Sequence, residues 1–398
     1  MIIALVAKPS TGKSSFFRAS TLLEVDIAPY PFTTLKSQEG VAFVKIPCVD
    51  KYFEVQCNPR YGYCVSHNRF VPVKLMDVPG LIEGSHEGKG LGLEFLNDIR
   101  EADALIHIID ISGSTDEKGN QVPALSHNPL KDVKFLENEL DYWYLSILKK
   151  GWEKFARIVR QENLNIKQAL AKQLSGLKVT EEIVEDCIRK LKLIHHPQDW
   201  SEKDLFSLAR ELRKITKPMI IAANKIDIEG SGMYLEKLKE EFPEYKIIPC
   251  SADSEIALRE AAKHKLIGYI PGENDFKIIN KEKMSEVQLN ALSFIEKNVL
   301  EKYGSTGVQD VLNEVVFNLL KYIAIFPGGL NNLKDSKGNT LPDCYLMPGK
   351  STALNFAFKL HTDLGNNFIK AIDVKTKRVV GKEHQLKNLD VIEIVVKK

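Results

Sequence analysis

The chain has 398 residues, with 55 Lys+Arg against 53 Asp+Glu for a formal net charge of +2, and 44% of it is hydrophobic. That length allows two or three domains with a sizeable core. No stretch approaches the ~20 apolar residues of a membrane span, and six cysteines do not make a disulfide scaffold at this size.

The near-neutral balance hides two basic segments. Residues 148–217 carry 16 Lys+Arg to 10 Asp+Glu, and residues 331–398 carry 12 to 7. A polyanion such as RNA would contact surfaces of this kind, and a plain solvated face has the same composition. The opening "MIIALVA" is too short for a signal-peptide core, so a cytoplasmic location is the expectation.

Residues 1–7 form a continuous apolar run, as a strand buried on both faces requires. "VAKPSTGKSS" follows, leading into a helix from about Ser14. It fits the phosphate-loop pattern G-x-x-x-x-G-K-[ST] except that Ala7 takes the first glycine's place. In such a loop Ala7, Lys8, Pro9, Ser10, Thr11 and Gly12, with the first helical residues Lys13, Ser14 and Ser15, wrap around phosphate oxygens beside the positive end of the helix. Gly12 lets the backbone curl closely, Lys13 neutralises the β- and γ-phosphates, and the Ser14 hydroxyl ligates Mg²⁺. If Ala7 must take positive φ, the cost is ~1 kcal/mol.

Residues 26–40, with Pro29 and Pro31, read as an ordered loop. Its Thr33 and Thr34 are alternative choices for the threonine that senses the γ-phosphate through Mg²⁺. Cys48, Cys57 and Cys64 crowd the next region near His67. Their spacing, C-x8-C-x6-C-x2-H, lacks the paired C-x2-C clips of structural zinc sites, so reduced thiols between strands are expected.

"RFVPVKLMDVPG" reads as a strand ending on Asp77. Its D-x-x-G places Asp77 to hold the Mg²⁺ shell through water and the Gly80 N–H to meet the γ-phosphate. "ALIHIID", "PMIIAANKID" and "YKIIPCSA" are further buried strands, alternating with helical stretches at 88–101 and 254–265. That alternation predicts an α/β fold, a doubly wound, mostly parallel sheet whose ligand binds outside the carboxyl ends of the strands. In "NKID", the Asp227 carboxylate would accept hydrogen bonds from guanine N1–H and the 2-amino group, which adenine lacks, a discrimination of roughly 10⁴ or more. Asn224 would support the base edge, the Lys225 stem would cover the ring, and Ser251 and Ala252 would bring an N–H to guanine O6.

Residues ~125–216 break the alternation as a helical insertion, and ~284–325 form trailing helices that include "KYIAIF". The predicted division is 1–326 for the nucleotide domain and 327–398 for a second domain of short strands and turns. Trp152, Phe155 and Trp200, set among the insertion's basic residues, suit either stacking on RNA bases or helix packing. His86, His195, His196 and His361 read as surface or packing residues.

"YPFTTL" and "DVPGLIEGSHEGKGLGLEFLNDIREADALIHIID" resemble the switch regions of Obg-type GTPases, and nearly the whole chain is similar to the YchF-related archaeal branch. "LMPGKSTALNFAFKLHTDLGNNFIKAI" with "LKNLDVIEIV" resembles a TGS domain, a small β-grasp module of translation-linked proteins, with Asn388-Leu389 replacing the usual Asp-Gly. The resemblance implies a P-loop NTPase G domain with a C-terminal TGS domain, and GTP hydrolysis to GDP and phosphate as a slow Mg²⁺-dependent switch associated with ribosome or RNA. Ser10 replaces an asparagine associated with K⁺-assisted hydrolysis. Leu81 stands where signalling GTPases place a water-orienting glutamine. Two alternatives stay open: an RNA-binding module with a vestigial nucleotide site, and an ATPase of the same fold.

Overall fold

The computed structural model describes residues 1–22, 39–81, 84, 98–194 and 196–397. Its larger sheet contains β1 (Ile2–Val6), β2 (Glu39–Pro47), β3 (Tyr63–Val65), β4 (Asn68–Asp77), β5 (Ala104–Asp110), β6 (Met219–Asn224) and β7 (Ile247–Pro249). The spatial order is β2-β4-β1-β5-β6-β7, with β3 also paired to β4. β4, β1, β5, β6 and β7 are parallel, whereas β2 and β3 run antiparallel to β4. β5 and β6 are buried along their whole length, which explains runs that are apolar on both sides of the pleat.

Alternate side chains of these strands feed two cores. Ile3, Leu5 and Ile106 face Phe16 and Ala19 of α1 (Lys13–Thr21) together with Val308, Val311 and Val315 of the segment 308–319. Ala4, Val6 and Leu105 face the helices that run between Leu130 and Thr216. Within those helices Trp152 stacks on Trp200 at 5.5 Å, and both rings are buried. Helix packing therefore accounts for these aromatics, and stacking on RNA bases is ruled out for the two tryptophans.

A short hairpin of β8 (Ile267–Tyr269) and β9 (Phe276–Ile278) precedes the helices of the C-terminal third. The last five strands are β10 (Tyr322–Pro327), β11 (Tyr345–Pro348), β12 (Phe368–Asp373), β13 (Arg378–Val380) and β14 (Val391–Val396), ordered β11-β10-β14-β12-β13. The helical expectation for 284–325 is corrected at its end. Lys321 takes φ +56°, which stops the helix, and Tyr322–Ile325 pair with Tyr345–Pro348. Aromatic and β-branched residues suit that pleated, half-buried position. The second sheet thus opens at Tyr322, ahead of the expected division at 327. Its inner face shares one continuous core with the nucleotide domain, since Ala324, Phe326, Leu341 and Val391 join the cluster of Val44, Ala42 and Val71. Among the described residues no helix is long and apolar enough to cross a membrane.

The insertion is pinned by a buried ion pair. Asp141 accepts from Arg213 Nε at 2.8 Å and Arg210 Nε at 2.9 Å, with Asp141 and Arg213 both almost fully buried. Removing one partner of such a pair strands a buried charge. Asp141→Ala is expected to lower stability in urea unfolding by ~3–5 kcal/mol, whereas Lys149→Ala, which breaks the exposed pair with Glu202, should cost less than ~1 kcal/mol.

Candidate nucleotide site

The loop between β1 and α1 lies at the carboxyl edge of the larger sheet. Gly12 caps α1 at φ +88° without a side-chain bond, leaving the first-turn N–H groups open toward the loop. A Cβ on Gly12 would sit 2.2 Å from Asn224 Nδ2, so both backbone conformation and close approach demand glycine. Ala7 is buried and is not among the residues with positive φ, whereas Ser10 is, at φ +64°. The strain expected at Ala7 is therefore absent there, and the loop's left-handed non-glycine residue is Ser10.

Lys13 is half-buried, its ammonium ion-paired with the Asp77 carboxylate at the end of β4. Ser14 is exposed on the first turn and Ser15 half-buried. Gly80 lies against Pro9, with room of 3.3 Å between a Cβ there and Pro9 Cγ. The Leu81 N–H donates to the Ala7 carbonyl at 2.9 Å, and the Leu81 side chain is buried among Val78, Ile99 and Ala102. It is a packing residue with no capacity to orient water. The Lys8 side chain turns away from the loop. Its side chain is buried and bonded to Asp132 at 2.7 Å and to the Thr115 carbonyl at 3.0 Å, so only its backbone belongs to the loop. Thr11 is fully buried, its hydroxyl donating to the Lys8 carbonyl at 3.3 Å.

On the base side, Asn224 Nδ2 donates to the Thr11 carbonyl and Asn224 Oδ1 accepts from the Ala252 N–H, both at 3.0 Å. That N–H is thus held by Asn224 rather than offered to a guanine O6. Ser251 caps the helix Ala252–Lys263 by accepting from the Ser254 N–H at 3.3 Å. Lys225 takes φ +65°, and its ammonium reaches the Ser10 carbonyl at 3.2 Å and Asp110 at 2.8 Å. Asp227 is half-buried, and its carboxylate enters none of the hydrogen bonds or ion pairs among the described residues. Thr33, Thr34, His86 and His195, and most of the helix expected at 88–101, lie outside the described residues.

The oxygen donors at this edge, the Ser14 hydroxyl and the Asp77 carboxylate beside an ammonium group, have the hard chemistry that suits Mg²⁺ rather than a soft metal.

A family profile described as a 50S ribosome-binding GTPase matches residues 2–139. Others, described as the G4 motif-containing domain of a YGR210-like Obg-like GTPase and as a TGS domain, match residues 222–328 and 336–396. A GTP-binding protein of Methanocaldococcus jannaschii is 46% identical over 395 residues, covering 99% of this chain and 98% of its own. The chain belongs to the YchF/Obg-like family of GTP-binding proteins. A solved GTP-binding protein of Pyrococcus horikoshii OT3 superposes on this Obg-like protein with a TM-score of 0.78 at 38% identity, both chains covered completely. The YchF GTPase of Schizosaccharomyces pombe shares the fold at a TM-score of 0.59 and 19% identity, covering 99% of this chain and 97% of its own. Human Obg-like ATPase 1 is 26% identical over 278 residues, 67% of this chain and 65% of its own.

One part of this Obg-like site escapes motif reading. Asp110, at the end of β5, is completely buried and accepts from Ser112 Oγ at 2.5 Å, Ser114 Oγ at 2.8 Å, Thr115 Oγ1 at 3.0 Å and Lys225. Burial alone pushes its carboxyl up, but the bonds from Lys225, Ser112 and Ser114 outweigh it and hold the group below the usual carboxylate range. The available signal was the polar run "DISGST" at the carboxyl end of a wholly apolar strand. The same loop carries Gly119 against Pro9, where a Cβ would meet Pro9 Cβ at 2.7 Å.

Gly12→Ala is expected to weaken binding of a non-hydrolysable GTP analogue ~10–100-fold with an unchanged far-UV circular dichroism spectrum. Asp110→Asn should cost ~2–3 kcal/mol near neutral pH. Because the native carboxyl is depressed, this contribution is full above about pH 4 and fades as acid protonates the native group. The stability gap between wild type and variant should therefore close below that pH, as read by urea unfolding.

Proposed function

We propose that the protein hydrolyses GTP to GDP and phosphate as a slow, Mg²⁺-dependent switch that acts on the ribosome or another RNA in the cytoplasm. The observation that carries the guanine part is the Asp227 carboxylate, which has no partner among the described residues and is set two residues beyond the Lys225 that ties its loop to the phosphate loop. Two acceptor bonds from N1–H and the 2-amino group would satisfy it, and adenine would not.

Ser14, Asp77 and either Thr33 or Thr34 would hold Mg²⁺, which would supply charge neutralisation at the β- and γ-phosphates. Lys13 exchanges its bond to Asp77 for the β- and γ-phosphate oxygens, placing its ammonium where charge develops. The Gly80 N–H and the first-turn N–H groups of α1 donate to phosphate oxygens. With Leu81 in the core, the residue after D-x-x-G does not order the attacking water, which supports a turnover of ~10⁻³ s⁻¹ or slower for the isolated protein. A ribosomal or RNA partner would supply that element. The TGS domain and the basic insertion, with exposed Lys154, Arg157, Arg160 and Lys172, support such a partner through phosphate contacts.

Calorimetric titration with non-hydrolysable GTP and ATP analogues plus Mg²⁺ tests the reading. GTP-analogue binding near micromolar is expected, with none for the ATP analogue. Asp227→Ala should lose at least ~100-fold, the equivalent of two hydrogen bonds to a charged group. Equal or tighter ATP binding would make the protein an ATPase, a reading favoured by the name of the mammalian relative. RNA affinity indifferent to nucleotide, with no binding of either analogue, would leave an RNA-binding module with a vestigial site. Of Ala7 and Ser10, which motivate that alternative, Ala7 needs no positive φ and Ser10 takes φ +64°.

A further inference from the structure

Far from the nucleotide, three sulfurs and a carboxylate meet at the opposite end of β2 and β4. Cys48 follows β2, Cys57 lies on the loop behind it, and Cys64 lies on β3, paired across to Arg69. Asp50 is completely buried among them. The four donor atoms lie within 4.8 Å of one another. Cys48 Sγ is 3.6 Å from Cys57 Sγ, and Cys64 Sγ is 3.9 Å from Asp50 Oδ2. A zinc tetrahedron with bonds of ~2.3 Å to sulfur and ~2.0–2.2 Å to oxygen has edges of ~3.5–3.8 Å. A carboxylate buried among thiols is costly unless it is paired and hydrogen-bonded. Asp50 is held in place by the Cys57 N–H at 3.1 Å and by His67 Nδ1 at 2.9 Å. That arrangement, a carboxylate ligand backed by a second hydrogen-bonded group, is the outer-shell support that metal ligands need.

The loop carrying these residues is also the seat of the TGS domain. The Asn58 and Arg60 N–H groups donate to the Thr340 and Pro342 carbonyls, both at 2.8 Å. Arg69 donates to the Leu341 carbonyl at 3.1 Å and to that of Pro342 at 2.8 Å, and Arg60 pairs with Asp335 at 3.1 Å.

We propose that Cys48, Cys57, Cys64 and Asp50 bind one zinc ion, and that this metal clip fixes the loop on which the TGS domain docks. Thiolate donors select zinc over magnesium or calcium. The wide spacing in sequence is no obstacle, because β2, the loop and the β3–β4 hairpin bring the ligands together.

The test uses the full chain, purified under reducing conditions from zinc-supplemented cells. About one zinc per chain is expected by plasma emission spectroscopy, together with a sulfur-to-metal charge-transfer band when Co²⁺ replaces it. Cys57→Ser and Cys64→Ser should lose both, and Cys187→Ser, inside the insertion, should keep both. Stripping the zinc with a chelator should speed hydrogen exchange at the Asn58 and Arg60 amides at least ~10-fold. Wild-type protein with no zinc and no cobalt band, or with Cys48 and Cys57 joined as a disulfide by mass, would overturn the site. Stoichiometric zinc with unchanged exchange at those amides would overturn its role in docking.

Discussion

The Asn224 carboxamide lies directly beneath Gly12, donating to the Thr11 carbonyl and accepting from the Ala252 N–H. It joins the phosphate loop, the end of β6 and the loop after β7 at one buried point. Each of these bonds is worth only ~1 kcal/mol net, but leaving either partner unmet in the interior costs more. The geometry therefore admits no side chain at Gly12, and both Gly12 and Ser10 take left-handed backbone. Lys225 then reaches the Ser10 carbonyl and draws the base-recognition loop against the phosphate loop. Phosphate and base sites are in this way one mechanical unit.

Charge is distributed around that unit by burial. The loop's two lysines go to opposite fates. Lys8 is swallowed by the insertion side, paired with Asp132 under the Thr115 carbonyl. Lys13 stays at the mouth with Asp77, where both remain partly open. Lys225 takes a third carboxylate, the buried Asp110. Of these three pairs, Lys13–Asp77 is the one in which both members are partly open. In the Lys8 pair both members are closed to water, and in the Lys225 pair the Asp110 carboxylate is, so breaking either strands a buried charge.

The C-terminal domain is bound to the G domain by more than a linker. Its β10 and β14 share the core that lies beneath β2 and β4, and its 335–343 segment receives the backbone and arginine donors of the 50–69 region. Phosphate loop and TGS domain sit at opposite ends of β4, the former near Asp77 and the latter near Arg69.

Local pattern was enough for much of this. Apolar runs closing on "GKSS", "DVPG", "NKID" and "CSAD" marked the parallel strands and their functional ends, because buried parallel strands must be apolar throughout and their loops must carry the chemistry. The TGS resemblance was legible in its strands and turns. What local pattern missed depended on partners distant in the chain. "YIAIF" joined a helix by periodicity and became a strand because residues 345–348 offered it hydrogen bonds. The Lys8 side chain takes Asp132, over a hundred residues later, as its partner. The tryptophans suited either RNA bases or helix packing until the insertion folded one onto the other. Residue type and spacing by themselves determined that the chain is a G-type nucleotide fold, and gave the order in which phosphate, metal and base motifs are expected along it. Only the tertiary structure decided which polar group each of those residues faces, since a buried donor or charge takes whatever partner the packing brings within reach.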